Sequence, residues 1–156
     1  MRRFCMILAA SGSLFCGVSQ AGAATVVVDA FTNSSSGGSA AFSGLTLTAG
    51  QLFNISVNPN DLWNAGALPR WSNADGLTKN LFATGTDESG EASGTLIGQN
   101  FGLYSQNGLE APYGALVGEI AGVYRILGTS FSGPAWASGN ITFSTGIQTT
   151  AITASL

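Results

Sequence analysis

Histidine is absent from this chain, and its two cysteines, Cys5 and Cys16, both lie near the start. The remainder therefore holds no Ser-His-Asp triad, no Cys-His pair and no imidazole or thiolate zinc site. Charge is also scarce, at 8% of residues. Beyond Arg2 and Arg3 the basic side chains are Arg70, Lys79 and Arg125. They face eight acids: Asp29, Asp61, Asp75, Asp87, Glu88, Glu91, Glu110 and Glu119. Nucleic acid and anionic lipid headgroups both need basic patches, so neither is an expected partner. A carboxylate pair for glycoside hydrolysis stays formally open. The acids show no spacing that favours it, and the chain reads as non-catalytic. Solubility falls to Ser, Thr, Asn, Gln and Gly.

What is present begins with a leader. Arg2 and Arg3 precede an apolar run over 4–18, which ends in Ser19-Gln20-Ala21-Gly22-Ala23. A basic start, a short apolar region and a small-x-small ending describe a secretory signal peptide. Residues 1–23 are read as that signal, and 24–156 as one mature domain, secreted or periplasmic and without a membrane span. A membrane anchor is the weaker reading. The run is broken by Ser11, Gly12, Ser13 and Gly17 and falls short of the ~20 residues a span needs. A lipoprotein would use Cys16, but Phe15 is bulky for the position before a lipidated cysteine. Cleavage removes both cysteines and leaves no disulfide. Leu156 closes a predicted strand with no sorting tail behind it, which favours a soluble product.

After Ala24, short apolar runs alternate with turn clusters. Leu45 and Leu47 alternate with Thr46 and Thr48; Phe53, Ile55 and Val57 alternate with Asn54, Ser56 and Asn58. A period of two is the strand signature, and these two runs are expected to form a hairpin. The polar stretch 33–39, NSSSGGS, reads as a loop or tether. Asn107-Gly108 and Ala121-Gly122 mark turns. The expectation is an all-β chain, a jelly-roll-like antiparallel β-sandwich of eight or nine strands. Against this plain background 58–77, NPNDLWNAGALPRWSNADGL, stands out. It holds Trp63, Trp71, Pro59, Pro69, Asp61, Asp75, Arg70 and four Asn.

Several pieces in order suggest a relationship: TLTAGQLFNISVNPNDLW, LPRWSNADG, APYGALVGEI and SGPAWASGNITF. Together, over about 45–156, they resemble the LecA-like galactose-binding lectins of bacteria and related domains of exported proteins. The most specific pieces are Trp71 with its polar turn and Gly114-Ala115-Leu116-Val117-Gly118. The resemblance implies a jelly-roll-like sandwich with a sugar site at one end, where lectin members hold a calcium ion that bridges to the sugar. The corresponding stretch here, 144–150, reads STGIQTT and has neither carboxylate nor Asn. Calcium takes six to eight oxygen ligands and favours carboxylates. The fold is carried over without the calcium site, and no cofactor is expected.

The expected partner is therefore a glycan or polysaccharide, bound through Trp63, Trp71, Asn73 and Asp75. An exposed indole can stack on the C–H face of a sugar, or each ring can plug the end of the sandwich. Trp71 is the better structural candidate because it recurs in the resemblance. Asn73 and Asp75 can bond sugar hydroxyls, though an Asx-turn with their own backbone is the more favoured reading, and Asp61 and Asn64 share that ambiguity. Asp87, Glu88 and Glu91 read as a solvated loop before a weak calcium site. Glu119 lies in an apolar strand and would need a partner if buried; Arg125 is the nearest cation in sequence. Trp136 stands either at the rim of the site or in the packing. The rival to sugar binding is a structural or adhesive envelope or matrix domain.

Overall fold

The computed structural model of the chain describes residues 24–145 and 153–155, the last three as backbone. The expected leader, 1–23, lies outside the described residues. So do 146–150 of the stretch compared with the calcium loop, and Ile152 and Leu156 of the last predicted strand.

The described chain is all-β. In order, β1 (Val27–Asp29), β2 (Ala41–Leu47), β3 (Leu52–Ser56), β4 (Trp63–Asn64) and β5 (Trp71–Ser72) come first. β6 (Leu81–Phe82), β7 (Leu96–Gly98), β8 (Leu103–Gln106) and β9 (Leu109–Pro112) follow. β10 (Leu116–Ile120), β11 (Val123–Ile126), β12 (Ser130–Pro134), β13 (Gly139–Thr145) and β14 (Thr153–Ser155) complete them. Fourteen strands exceed the eight or nine expected because short ladders form beside the longer alternating runs. Residues 63–72 fold back as β4 on β5, and 128–138 contains β12.

The strand ladders are antiparallel, and the largest sheet has the order β11-β10-β13-β2. Alternation along its central strands fixes what each face does. Opposed residues of an antiparallel pair share a face. Leu116, Gly118 and Ile120 of β10 therefore lie with Thr145, Phe143 and Ile141 of β13. Leu116 and Ile120 are fully buried, as is Ile141 at 1% exposure. On the far side of this core, the β3–β12 ladder brings in Phe53, Ile55 and Phe131. Phe53 and Phe131 stack with centroids 5.2 Å apart, and Trp136 meets Phe131 edge-on at 5.7 Å. Trp136 is thus packing, with its indole N–H donating to the Val123 carbonyl at 2.7 Å.

The alternating runs at 45–48 and 53–57 are strands as expected, but they do not form a hairpin. β2 pairs with β13, and β3 with β12. The turn between them, closed by Gln51 N–H on the Thr48 carbonyl at 2.9 Å, carries the chain across the core. Period two determines which side chains are buried; it does not choose the neighbouring strand. The two expected turns do form. Asn107 and Gly108 have φ of 52° and 76°, and Ala121 and Gly122 have 52° and 80°. Positive φ at both central residues is the type I′ pattern that matches strand twist. The stretch 33–39 is a braced loop rather than a tether. Ser35 N–H donates to Thr145 and Ser39 N–H to Thr32, both at 2.8 Å, and the Asn33 amide donates to the Ser39 carbonyl.

Glu119 and Arg125 do not pair. Glu119 is opposite Tyr124, while Arg125 is opposite Gly118 and so lies on the other face. The Glu119 carboxylate accepts the Gly122 N–H at 2.7 Å and the Thr142 hydroxyl at 3.3 Å. Arg125 instead lies over the Trp136 ring, 5.8 Å from its centroid.

β7 passes close to the Trp71 strand. A Cβ added at Gly98 would stand 2.3 Å from the Trp71 carbonyl oxygen and 3.0 Å from Leu77. Backbone cannot yield as a side-chain end does, so Gly98→Ala is expected to destabilise by at least the ~1–3 kcal/mol typical of overpacking. Urea unfolding should show a lower midpoint at unchanged slope.

Candidate functional site

The four residues expected to contact sugar serve the fold. Trp63 on β4 is fully buried, and Trp71 on β5 is 9% exposed. Trp63 belongs to the main core with Leu116 and Phe143, and Trp71 to a second cluster with Leu62 and Ile97. Neither indole offers a free face for stacking. Among the described residues the buried Trp63 N–H has no hydrogen-bond partner, so its ring is held for apolar area. Asn73 makes an Asx-turn: its Oδ1 accepts the Asp75 N–H and its amide donates to the Pro59 carbonyl, both at 3.0 Å. Asp75 accepts the Thr129 N–H at 2.8 Å, which fastens 58–77 to the corner between β11 and β12. A crevice of about 20 Å³ remains beside Trp71, Asn73 and Lys79, enough for about one water and too small for a sugar ring.

The larger cavity lies elsewhere, on the outer face of the four-stranded sheet. Its floor is Val117, Tyr124 and Ser144, from three adjacent strands. The β8–β9 hairpin arches over them and presents Tyr104, Gln106, Leu109 and Ala111. Ser35 and Ser36 close one end. The volume is about 210 Å³, equivalent to roughly seven waters at ~30 Å³ each and suited to a single ring.

Local folding explains how the hairpin holds this position. Its outer strand β8 is exposed throughout, so core burial does not fix its tip. Polar bonds do: the Gln106 amide donates to the Ser35 carbonyl at 2.6 Å, and the Ser35 hydroxyl donates to Gln106 Oε1 at 2.8 Å. At the other end Tyr104 meets Tyr113 edge-on at 5.1 Å. The Tyr113 hydroxyl donates to the Ala65 carbonyl at 3.1 Å, linking the cavity wall back to 58–77. Burial pushes that hydroxyl above its usual value, while nearby Arg70 opposes the shift. The group therefore stays a neutral donor around neutral pH.

The lining is chemically uniform. The chain has three tyrosines, and all of them, Tyr104, Tyr113 and Tyr124, line this cavity. Among the described residues the rest is Ser, Gln, Asn and small apolar side chains, with no ionisable group other than the tyrosines. Aromatic faces, amides and hydroxyls without charge suit a neutral, hydroxyl-rich ligand. Sequence reasoning missed this site because its parts are dispersed: each tyrosine sits in a separate run, and the hairpin brings them together. The Asn107-Gly108 turn was the available signal, since it fixes which face of the hairpin carries Tyr104.

The acid-rich loop 84–94 is self-contained. Asp87 accepts the Ser89 hydroxyl and the Thr84 N–H and hydroxyl. Among the described residues no group of three or more His, Cys, Asp or Glu side chains gathers to hold a metal ion. No protein-family model, curated protein or solved structure matches the chain.

Two outcomes are expected. Hydrogen bonds from Ser89 and then Thr84 hold the Asp87 carboxyl at about 2 instead of 3.8. A lowered folded value means that its contribution is complete above the ordinary value and is lost as pH falls through the folded one. The Thr84 and Ser89 amides, which bond that carboxylate, should thus shift with a midpoint near 2, as NMR titration would record. Asp87→Asn should abolish that transition. Separately, Trp63→Ala should cost about 3–5 kcal/mol, as large aromatic deletions in cores do, measured by chemical unfolding.

Proposed function

We propose that the protein is an exported, non-catalytic carbohydrate-binding domain of lectin type, and that the tyrosine-lined cavity takes the sugar. The observation that carries this reading is the convergence of all three tyrosines with uncharged amide and hydroxyl side chains on one ring-sized cavity. Sugars present an apolar C–H face and a rim of hydroxyls. Tyrosine matches both, with a flat ring and a polar tip. The resemblance to LecA-like lectins supports the same reading, and with it a jelly-roll-like arrangement of the two strand layers around the core. The site, however, sits under the β8–β9 hairpin rather than on 58–77. Its hydrogen-bonding groups are side chains of the protein, so binding proceeds without calcium.

A structural or adhesive role is the second reading. The burial of Trp63 and Trp71 favours it, because the stretch that holds two of the three Trp is spent on packing.

A glycan array run with calcium and again with chelator separates the two. The expected result is binding in both conditions, weakened at least tenfold by Tyr104→Ala. That change removes a ring that is 45% exposed and meets Tyr113 edge-on, so the unfolding midpoint should fall far less than with Trp63→Ala. No binding in either condition would sink the lectin reading and leave the scaffold. Binding that vanishes with chelator would show that a metal is part of the site.

A further inference from the structure

The cavity is not isolated on its face of the sheet. Register carries a single row of side chains outward from it: Tyr124 on β11 is opposite Glu119 on β10, Glu119 opposite Thr142 on β13, and Thr142 opposite Phe42 on β2. Opposed residues share a face, so all four lie on the outer side, and Tyr124 is itself a wall of the cavity. Three inter-strand steps of ~4.8 Å place Phe42 about 14 Å from Tyr124. We propose that this row extends the cavity into a groove for a neutral oligosaccharide chain, with one unit among the tyrosines and a later unit on the Phe42 ring. The proposal rests on the carbohydrate reading above and goes beyond it in naming a chain rather than a single sugar.

Phe42 is 58% exposed. A lone exposed aromatic is ordinary; the way this one is placed is not. At the β2 edge Thr46 is opposite Asn140, and regular pairing would then set Gly44 opposite Thr142. A bulge intervenes, and Phe42 takes that position instead. The bulge is built in by Gly44, at φ of 74°, and by Ser43, whose hydroxyl donates to the Ile141 carbonyl at 2.7 Å and accepts the Leu45 N–H at 3.1 Å. Bulges commonly re-aim a side chain. Here the effect is to exchange a glycine for an aromatic ring at the end of the row.

The middle of the row is polar. Glu119 is its only ionisable acid, and one hydrogen bond reaches each of its oxygens, from Gly122 and Thr142. A carboxylate can accept about four hydrogen bonds, so lone pairs remain for sugar hydroxyls. No Lys or Arg stands in the row, and a negative group facing an anionic polymer would repel it. A neutral glycan therefore meets no charge penalty in the row, whereas an anionic one would.

The test is calorimetric titration of the protein with glucose, galactose, mannose and N-acetylglucosamine, each as the monosaccharide and as its linear homo-oligomers up to the tetramer. In the series that binds, affinity is expected to rise about tenfold or more from monosaccharide to tetramer, a gain of ~1.4 kcal/mol. Phe42→Ser should abolish that gain and leave the monosaccharide Kd unchanged, while Phe42→Trp should keep it. Affinity that is independent of chain length, or a gain that survives Phe42→Ser, would overturn the groove and leave the single-sugar site standing. Failure of every monosaccharide and oligomer to bind would overturn both. Far-UV dichroism of the variants should match the unsubstituted protein, since Phe42 is outside the core.

Discussion

The register between β10 and β13 is the constraint on which the rest depends. With Gly118 opposite Phe143, the set Leu116, Ile120 and Ile141 is turned into the core, and Val117, Glu119 and Ser144 are turned out. A shift of one residue would exchange the faces. It would expose Leu116, Ile120, Ile141 and Phe143 and bury the Glu119 carboxylate among aliphatic groups. The hydrophobic penalty alone is ~1.5–3 kcal/mol for each large side chain moved. The energy that holds the core in register therefore also fixes the cavity floor. Stability and site are coupled through a period of two, although the side chains turned into the core from β10 and β13 are not those of the cavity floor.

The segment 58–77 serves that same register from the side. It enters the core through Trp63, accepts the Leu116 N–H on the Ala74 carbonyl at 2.8 Å and receives Thr129 on Asp75. Those bonds occupy the N-terminal end of β10, where the strand would otherwise present unpaired backbone groups. They also bring Ala65 under the Tyr113 hydroxyl. An irregular, aromatic stretch thus acts as a brace. The side chains of Asn58, Asn64, Ser72, Asn73 and Asp75 bond to backbone groups, which leaves them little capacity to read a ligand.

How much of this was legible in the sequence differs by level. The all-β class, the buried parity of β3 and the tight turns at Asn107-Gly108 and Ala121-Gly122 follow from local rules, because each depends on residues within one or two positions. Pairing partners do not. β2 and β3 alternate correctly, yet they join different sheets, since alternation carries no information about which distant strand will supply the ladder. The Glu119–Arg125 expectation failed for the same reason. Proximity in sequence across a hairpin was visible, whereas the face each side chain takes depends on register. For the site, the sequence advertised density, with two Trp close together in 58–77. The structure assembles its cavity from three tyrosines in separate runs, a combination that only long-range packing creates.

The scarcity of charge bears on function as well as on solubility. A surface with few ions steers ligands weakly over distance, so recognition has to come from contact: ring faces, amides and hydroxyls at short range. Such contacts are individually modest, about 1 kcal/mol for a neutral hydrogen bond, and a cavity of ring size can hold only a few. Appreciable affinity then needs either a preorganised site or a longer ligand. The Ser35–Gln106 pair addresses the first by holding the hairpin tip at two points, which reduces the ordering cost of binding. The second is available along the outer sheet, where successive strands offer further contacts at the sheet's own spacing. On this view the neutral composition of the chain and the breadth of its exposed sheet face belong to one solution: many weak, uncharged contacts arranged in a row on a face whose orientation the core has already fixed.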